Sequence, residues 1–161
     1  HFKILQEETE KRGFIQYEIS NFGRKGFFSK HNTSYWKGVN YLGIGPSAHS
    51  YDGLHRSWNI ANNAKYISAI QNNLLPQEKE LLSPEDSTNE AIMTGLRTIW
   101  GVSLEDIANR HGEKFKEEIL FQAKKYLEKG ILYNEQEHLF LRPESYFLAD
   151  GISADLFLLK V

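Results

Sequence analysis

The sequence predicts an α+β fold in two units, of which the second is mainly helical and ends in a β-hairpin. Charge separates the units, since residues 1–83 carry 10 basic and 7 acidic side chains and residues 84–161 carry 9 and 14. A polar stretch bracketed by two prolines joins them, as is typical of a connection. We therefore expect domains at residues 1–75 and 84–161, with a linker at residues 76–83.

Composition limits the classes of function. Apolar residues make up 40% and charged residues 25% of the 161 residues, as in ordinary soluble domains. The net charge of −2 argues against a general nucleic-acid-binding surface. No apolar run approaches the roughly 20 residues of a spanning helix, so no transmembrane segment is expected. The chain has no cysteine, which excludes disulfides, cysteine nucleophiles and an iron–sulfur cluster held by this stretch.

The first unit should mix short helices and strands. Its first helix should end at Gly13, residues 14–19 alternate with the period of a strand, and Asp52-Gly53 is a hairpin dipeptide. The expected elements, in chain order, are a helix at 2–12, a strand at 14–19, a helical turn at 32–36, a short strand at 41–45, a hairpin of 50–51 with 55–58, and a helix at 60–74.

The second unit has clear helix signals. Ser83 before Pro84 should begin one helix, Ser103 with Asp106 a second, and a third should end at Gly130. Helical spacing predicts buried stripes at Ile92, Leu96 and Ile99, and at Phe115, Ile119, Ala123 and Tyr126. A hairpin of 131–133 with 139–141 and a helix at 144–159 should follow. Three helices and a hairpin is the order of a winged helix, and its net charge of −5 favours a docking module over a DNA-binding one.

The segment His31-Asn32-Thr33-Ser34-Tyr35-Trp36 is the most informative in the chain. An imidazole can supply an axial ligand to haem iron, and aromatic rings supply area that packs against a flat macrocycle. From these residues alone, a partly buried histidine that makes hydrogen bonds is the plainer interpretation.

Two other groups of residues suggest sites near strand ends. Gly43 and Gly45 end the expected second strand in small residues, which let a backbone approach a ligand closely. This is not a dinucleotide fingerprint, because Ala48 stands where its third glycine would be, and a plain tight turn is the alternative. Glu18, with Asn21 and Arg24 nearby, could bind the polar edge of a cofactor or tie a loop down.

Three blocks of sequence, taken in order, resemble a known family. They are Tyr17-Glu18-Ile19-Ser20-Asn21-Phe22-Gly23, then His31 to Trp36 in the form HNxxYW, then Tyr41-Leu42-Gly43-Ile44-Gly45-Pro46-Ser47-Ala48-His49. Together they resemble the oxygen-independent coproporphyrinogen III oxidase-like radical-SAM family, and the HNxxYW form resembles its HemW branch of haem chaperones.

The resemblance implies a fold and cofactors for a longer parent protein. Residues 1–75 would be the last strands of a partial (β/α) radical-SAM barrel, and residues 84–161 a winged-helix-like C-terminal domain. The parent would hold a 4Fe-4S cluster and S-adenosylmethionine through an upstream CxxxCxxC motif that this chain lacks. Since the chain also begins with His1 rather than methionine, we expect it to be a piece of that parent, without catalytic activity of its own.

The resemblance also implies site residues and partners. His31 would bind haem iron, with Tyr35 and Trp36 beside the macrocycle, whereas Gly23, Gly43 and Gly45 would line the S-adenosylmethionine rim. Gly23 stands where the family usually has alanine, and Pro46 and Ser47 depart from its usual glycine-rich turn. Partners would be haem or a porphyrin and recipient haemoproteins in the cytoplasm, with no nucleic acid, and an open sheet edge could pair with a second copy as a homodimer.

Three functions follow from these observations. The first is haem binding and delivery by a HemW-like protein. The alternative is coproporphyrinogen III oxidation, in which a 5′-deoxyadenosyl radical abstracts hydrogen and two propionates are oxidatively decarboxylated to vinyl groups. The HNxxYW block argues against this alternative. The third is a winged-helix binding module that has no catalytic role.

Overall fold

The chain forms two compact units in a computed structural model that describes residues 1–159. One unit combines residues 1–36 with the chain from Pro84 onward, and we call it the terminal unit. The other, the central unit, consists of residues 37–83. This division differs from the expected boundary near residue 76, because the N-terminal strand segment bonds to the C-terminal part of the chain.

The N-terminal part of the terminal unit contains four elements. They are helix α1 (Phe2–Glu10), strand β1 (Ile15–Glu18), strand β2 (Asn21–Gly23) and helix α2 (Lys30–Trp36). Strands β1 and β2 pair antiparallel, with Ile15 opposite Gly23. The expected helix, strand and helical turn are therefore present, and α2 begins two residues earlier than predicted.

The central unit is a three-stranded antiparallel sheet with one helix. Its elements are β3 (His49–Tyr51), β4 (His55–Asn59), α3 (Asn63–Gln71) and β5 (Gln77–Leu81), and β4 lies between the other two strands. The predicted hairpin is confirmed, with Tyr51 opposite Arg56. Asn62 caps α3, because its side chain accepts a hydrogen bond from the Lys65 N–H.

Two expectations for the central unit differ from the structure. The predicted strand at 41–45 is wrong, since only Tyr41 makes an isolated bridge, to Tyr51. The expected linker at 76–83 contains β5, which pairs with β4. All five residues of β5 are exposed, so the strand has no apolar alternation that a sequence pattern would reveal.

The C-terminal part of the terminal unit has the predicted order of three helices and a hairpin. In chain order it contains α4 (Pro84–Gly95), β6 (Val102–Ser103), α5 (Leu104–His111), α6 (Glu113–Glu128), β7 (Leu132–Glu135), β8 (His138–Leu141), a 3₁₀ helix (Pro143–Leu148) and α7 (Ala149–Asp155). Strand β8 lies between β6 and β7. Ser103 caps α5 as predicted, since its hydroxyl accepts a hydrogen bond from the Asp106 N–H at 3.1 Å.

The core of the terminal unit lies among these C-terminal elements. Ile92, Leu96, Ile119 and Ala123 are fully buried as the spacing predicted, whereas Ile99 is 39% exposed. The remaining buried apolar residues include Val102, Leu104, Ile107, Leu132, Leu139, Leu141, Tyr146, Ala149, Ile152 and Leu156.

The last helix differs from the single helix expected at 144–159. A 3₁₀ helix begins at Pro143 and α7 follows it. Tyr146 in the 3₁₀ helix and Ala149 at the start of α7 are both buried. Within residues 1–159, none of the helices combines the length and the apolar character that a membrane-spanning segment needs.

Candidate functional site

His31 and Tyr35 lie on one exposed face of α2. Residues four apart share a helix face, and the two rings meet edge to face with centroids 4.8 Å apart and an interplanar angle of 86°. The His31 side chain is exposed, and Tyr35 is 44% exposed. The structure therefore presents an imidazole to solvent beside an aromatic ring, which differs from the partly buried histidine of the plainer interpretation.

Trp36 lies apart from these two rings, in the packing that holds α2. It is half-buried, and its ring centroid is 5.9 Å from that of Tyr17 and 6.4 Å from that of Trp100. Phe28 stacks on Tyr17 at 4.3 Å. The ring of Trp36 therefore packs with β1 and with the segment after α4. Trp100 was not singled out in the sequence, because nothing local to it signals a partner 64 residues away.

Gly23 is buried at the end of β2. A Cβ added there would lie 3.1 Å from the Phe28 ring and 3.2 Å from the Tyr17 ring. The Tyr17 hydroxyl accepts a hydrogen bond from the Ser29 N–H at 3.1 Å, so these rings also fix the start of the loop into α2. Close packing of the two rings explains why glycine suits this position.

Glu18 is held by a network that the sequence did not reveal in full. Its side chain is 4% exposed and forms an ion pair with Arg97 at 3.1 Å. It also accepts hydrogen bonds from the Ser20 N–H at 2.8 Å and from the Asn21 amide at 2.6 Å. Asn32, the neighbour of His31, donates to the Asn21 amide oxygen at 3.3 Å. Of the two interpretations of Glu18, the structure supports the tie that holds a loop, and Arg97 is the residue that sequence reasoning missed.

Gly43 and Gly45 belong to the central unit, and their backbone groups already have partners. The Gly43 N–H donates to the Ser50 hydroxyl at 2.9 Å, and the Gly45 N–H to the Tyr66 hydroxyl at 3.3 Å. Buried Asn59 donates its amide to both glycine carbonyls. These side-chain bonds replace the ladder of the expected strand.

The local backbone explains why glycine occupies each of these two positions. A Cβ on Gly43 would lie 2.1 Å from the His49 carbonyl oxygen, which no side chain permits. Gly45 has a φ of 103°, which glycine adopts without strain. The tight turn of the alternative interpretation is therefore present, and a role for the turn at a cofactor stays a prediction.

Comparison with known proteins places the chain in a family. Residues 82–148 match the model of the "HemN C-terminal domain". "Heme chaperone HemW" of Bacillus subtilis (strain 168) is 31% identical over 152 residues, which cover 94% of this chain and 40% of that protein. "Radical S-adenosyl methionine domain-containing protein 1, mitochondrial" of Danio rerio is 31% identical over 130 residues, or 75% of this chain and 28% of that protein.

A solved structure agrees with these relatives. The protein of "Coproporphyrinogen III oxidase (HemN) from Escherichia coli is a Radical SAM enzyme" matches 96% of this chain and 39% of its own, with a TM-score of 0.67 and 14% sequence identity. This chain belongs to the radical-SAM family of HemW- and HemN-like proteins. The HemW/HemN-like chain spans about 40% of the length of the bacillary relative and of the solved structure.

The residues of this HemW/HemN-like chain could provide a ligand for haem but cannot hold a 4Fe-4S cluster. A 4Fe-4S cluster needs thiolate ligands, and the chain has no cysteine. Among residues 1–159, no three His, Asp or Glu side chains converge as a metal site. Haem needs only one or two axial ligands from protein, and the exposed imidazole of His31 can serve as one of them.

Proposed function

We propose that this chain is the part of a HemW-like protein that binds haem through His31 and holds it for transfer to haemoproteins. The observation that carries the proposal is the exposed imidazole of His31 beside the Tyr35 ring on α2. Relatives named heme chaperones cover 94% of the chain, which supports the same function.

Each residue of the proposed site has a distinct task. The neutral His31 imidazole would donate a nitrogen lone pair to the iron, and the Tyr35 ring would pack against the macrocycle. Trp36 would act by holding α2 on Tyr17 and Trp100, although its position beside Tyr35 in the HNxxYW motif first suggested direct contact with haem. An exposed site suits a carrier, because a recipient protein must reach the cargo in order to remove it.

The family's other cofactors would act outside this chain. When bound, a 4Fe-4S cluster and S-adenosylmethionine supply radical chemistry in radical-SAM proteins, and this chain has no cysteine that could hold the cluster. Gly23, Gly43 and Gly45 are proposed to lie near the S-adenosylmethionine rim of the complete protein, where their close backbone packing would shape the surface. A cytoplasmic location belongs to the same proposal.

Residues 84–161 are proposed to be a winged-helix-like docking domain. The order of α4, β6, α5, α6 and the β7–β8 hairpin supports this assignment. The acidic excess of this segment favours protein partners, such as recipient haemoproteins, over nucleic acid. Residues 1–75 would then belong to the radical-SAM barrel of the complete protein.

Coproporphyrinogen III oxidation is the second candidate function. It is favoured by the fold shared with the solved oxidase, at a TM-score of 0.67. Under anaerobic reducing conditions, an oxidase would convert coproporphyrinogen III to protoporphyrinogen IX, whereas a haem chaperone would not. Turnover by the complete protein would favour the oxidase.

Titration with haemin tests the first candidate. We expect the complete protein to shift the Soret band of haemin and His31→Ala to weaken that shift, because the axial ligand is lost. His138→Ala is the matched control, since it removes another imidazole of the terminal unit, one that bonds the Gln136 carbonyl. An identical Soret spectrum in His31→Ala would exclude His31 as the ligand.

A further inference from the structure

The segment around His31 lacks acidic residues. The chain contains 21 Asp and Glu residues, yet none lies between Glu18 and Asp52. Within the terminal unit, the same segment contains Arg24, Lys25 and Lys30. The part of the chain next to the proposed haem ligand is therefore cationic, although the chain as a whole is acidic.

These three cations are not used to stabilise the fold through ion pairs. All three residues are exposed, and within residues 1–159 none of them forms an ion pair with a carboxylate. In contrast, Arg97 and Lys125 pair with carboxylates. The Arg24 guanidinium lies over the Phe14 ring at 5.4 Å. The positive charges of Lys25 and Lys30 are thus available to an anion from solution.

An exposed aromatic ring lies in the same loop. Phe27 is 82% exposed, and its N–H donates to the Arg24 carbonyl at 2.9 Å in a turn that precedes α2. The segment from Arg24 to Tyr35 therefore offers three kinds of group: exposed rings at Phe27 and Tyr35, an imidazole at His31, and cations. A flat apolar molecule that carries iron and carboxylates matches all three kinds.

We propose that Arg24, Lys25 and Lys30 bind the propionate carboxylates of the porphyrin that His31 ligates. This inference rests on the proposed haem-binding function and adds a basis for specificity to it. His31 recognises the iron, the Phe27 and Tyr35 rings contact the macrocycle, and the cations recognise the carboxylates. The long flexible stems of lysine and arginine allow their charged ends to reach the rim of a macrocycle seated on α2.

Comparing haemin with haemin dimethyl ester tests the contribution of the carboxylates to binding, because both molecules contain iron and the macrocycle but only haemin has charged carboxylates. The complete protein should bind haemin more tightly than the ester, which has no carboxylate charge. In Lys25→Gln/Lys30→Gln, haemin affinity should fall roughly twofold to 25-fold and ester affinity should not change, since each exposed ion pair contributes a factor of about 1.5 to 5. Adding Arg24→Gln should extend the loss.

A variant elsewhere in the terminal unit controls for overall charge. Lys114→Gln/Lys129→Gln removes two exposed lysines of the α6 region and changes the net charge equally. It should leave haemin affinity within about twofold of the unmodified protein. Raising the salt concentration from about 0.05 M to about 0.5 M should weaken haemin binding in the unmodified protein more than in Lys25→Gln/Lys30→Gln.

The outcomes distinguish this inference from the function on which it rests. Equal affinities of haemin and its ester in the unmodified protein, or equal losses in both lysine pairs, would overturn carboxylate recognition while leaving His31 ligation intact. A Soret spectrum that His31→Ala does not change would overturn the ligation instead. Discrimination against the ester that Lys25→Gln/Lys30→Gln reduces and the added Arg24→Gln reduces further, with unchanged Soret position, supports the proposal.

Discussion

The Arg97 guanidinium and the Glu18 carboxylate form an ion pair across 79 positions of the chain. Nη2 of Arg97 lies 3.1 Å from Oε1 of Glu18, and Nε donates to the same oxygen at 3.2 Å. The backbone follows the same connection, since the Ile19 N–H donates to the Arg97 carbonyl at 3.0 Å. The N-terminal hairpin is thereby fixed to the segment that follows α4.

Arg97→Gln should destabilise the terminal unit by about 2–4 kcal/mol, because it leaves the carboxylate of Glu18 buried without its cation. Glu18→Gln/Arg97→Gln should be less destabilising than Arg97→Gln alone, since the double variant buries no unpaired charge. Denaturant unfolding of the three proteins measures both differences. An Arg97→Gln variant as stable as the unmodified protein would contradict the importance of the pair.

The other carboxylate near Arg97 provides a control. Asp150 pairs with Nη1 at 2.8 Å, but its side chain is 82% exposed. An exposed ion pair contributes little, so Asp150→Asn should change the free energy of unfolding by at most about 0.5 kcal/mol. If Asp150→Asn lowered the free energy of unfolding more than Arg97→Gln does, solvent exposure would not explain the difference in strength between the two ion pairs.

Gly43→Ala should destabilise the central unit by about 3 kcal/mol or more, because its Cβ would lie 2.1 Å from the His49 carbonyl oxygen and the backbone must move. Gly151→Ala is the contrasting substitution. Gly151 lies in α7 with nothing within 4 Å of an added Cβ, so alanine should stabilise the helix by about 0.5–1 kcal/mol. The thermal unfolding temperature should fall in Gly43→Ala and rise in Gly151→Ala. Equal shifts in the two variants would contradict the explanation that the close contact with the His49 carbonyl requires glycine at position 43.

The elements that the sequence predicted well are those with a local signal. Ile119 and Ala123 are four apart and both fully buried, as expected of an amphipathic helix. The cap at Ser103 and the hairpin at Asp52-Gly53 depend on neighbouring residues only. Strand β5 has no such signal, because all of its side chains are exposed and its partner strand ends 18 residues earlier.

The candidate site likewise combines features that have a local sequence signal with features that depend on distant residues. The four-residue spacing of His31 and Tyr35 places them on one face of α2, but the helical turn predicted at 32–36 did not include His31. The inward packing of Trp36 depends on Tyr17 and Trp100, which are distant in sequence. Arg97 likewise reaches Glu18 only in the folded chain. Long-range partners of this kind leave no periodic pattern, and for that reason sequence reasoning missed them.

Asp155 should titrate at a lower pH than an ordinary aspartate. Hydrogen bonds from the Lys125 ammonium and from the Tyr126 hydroxyl lower the pKa of its carboxyl group. A carboxyl group whose pKa is lowered by folding adds stability above its unfolded pKa of about 3.9, and that stability is lost as the pH falls through the folded pKa. NMR titration should detect the low pKa, and Lys125→Gln should raise it. An unchanged titration in Lys125→Gln would exclude lysine as the main cause.

The stability of the terminal unit should fall as the pH decreases from about 7.5 to about 5.5, in part because of His111. Burial, reinforced by the neighbouring charge of Arg110 and partly opposed by Glu85, lowers the pKa of the His111 imidazole. The folded protein therefore binds this proton less readily than the unfolded chain, whose histidine pKa is about 6.5.

The sign of the effect follows from that difference. The contribution of neutral His111 is fully present above about pH 6.5 and is lost as the pH falls toward the folded pKa. His111→Gln removes the titrating group and retains a polar side chain near the Ser87 hydroxyl, to which the imidazole Nε2 is 3.3 Å distant. Denaturant unfolding at several pH values gives the free energy of unfolding as a function of pH. This free energy should fall less steeply with decreasing pH in His111→Gln than in the unmodified protein. Parallel slopes would mean that other groups cause the acid sensitivity.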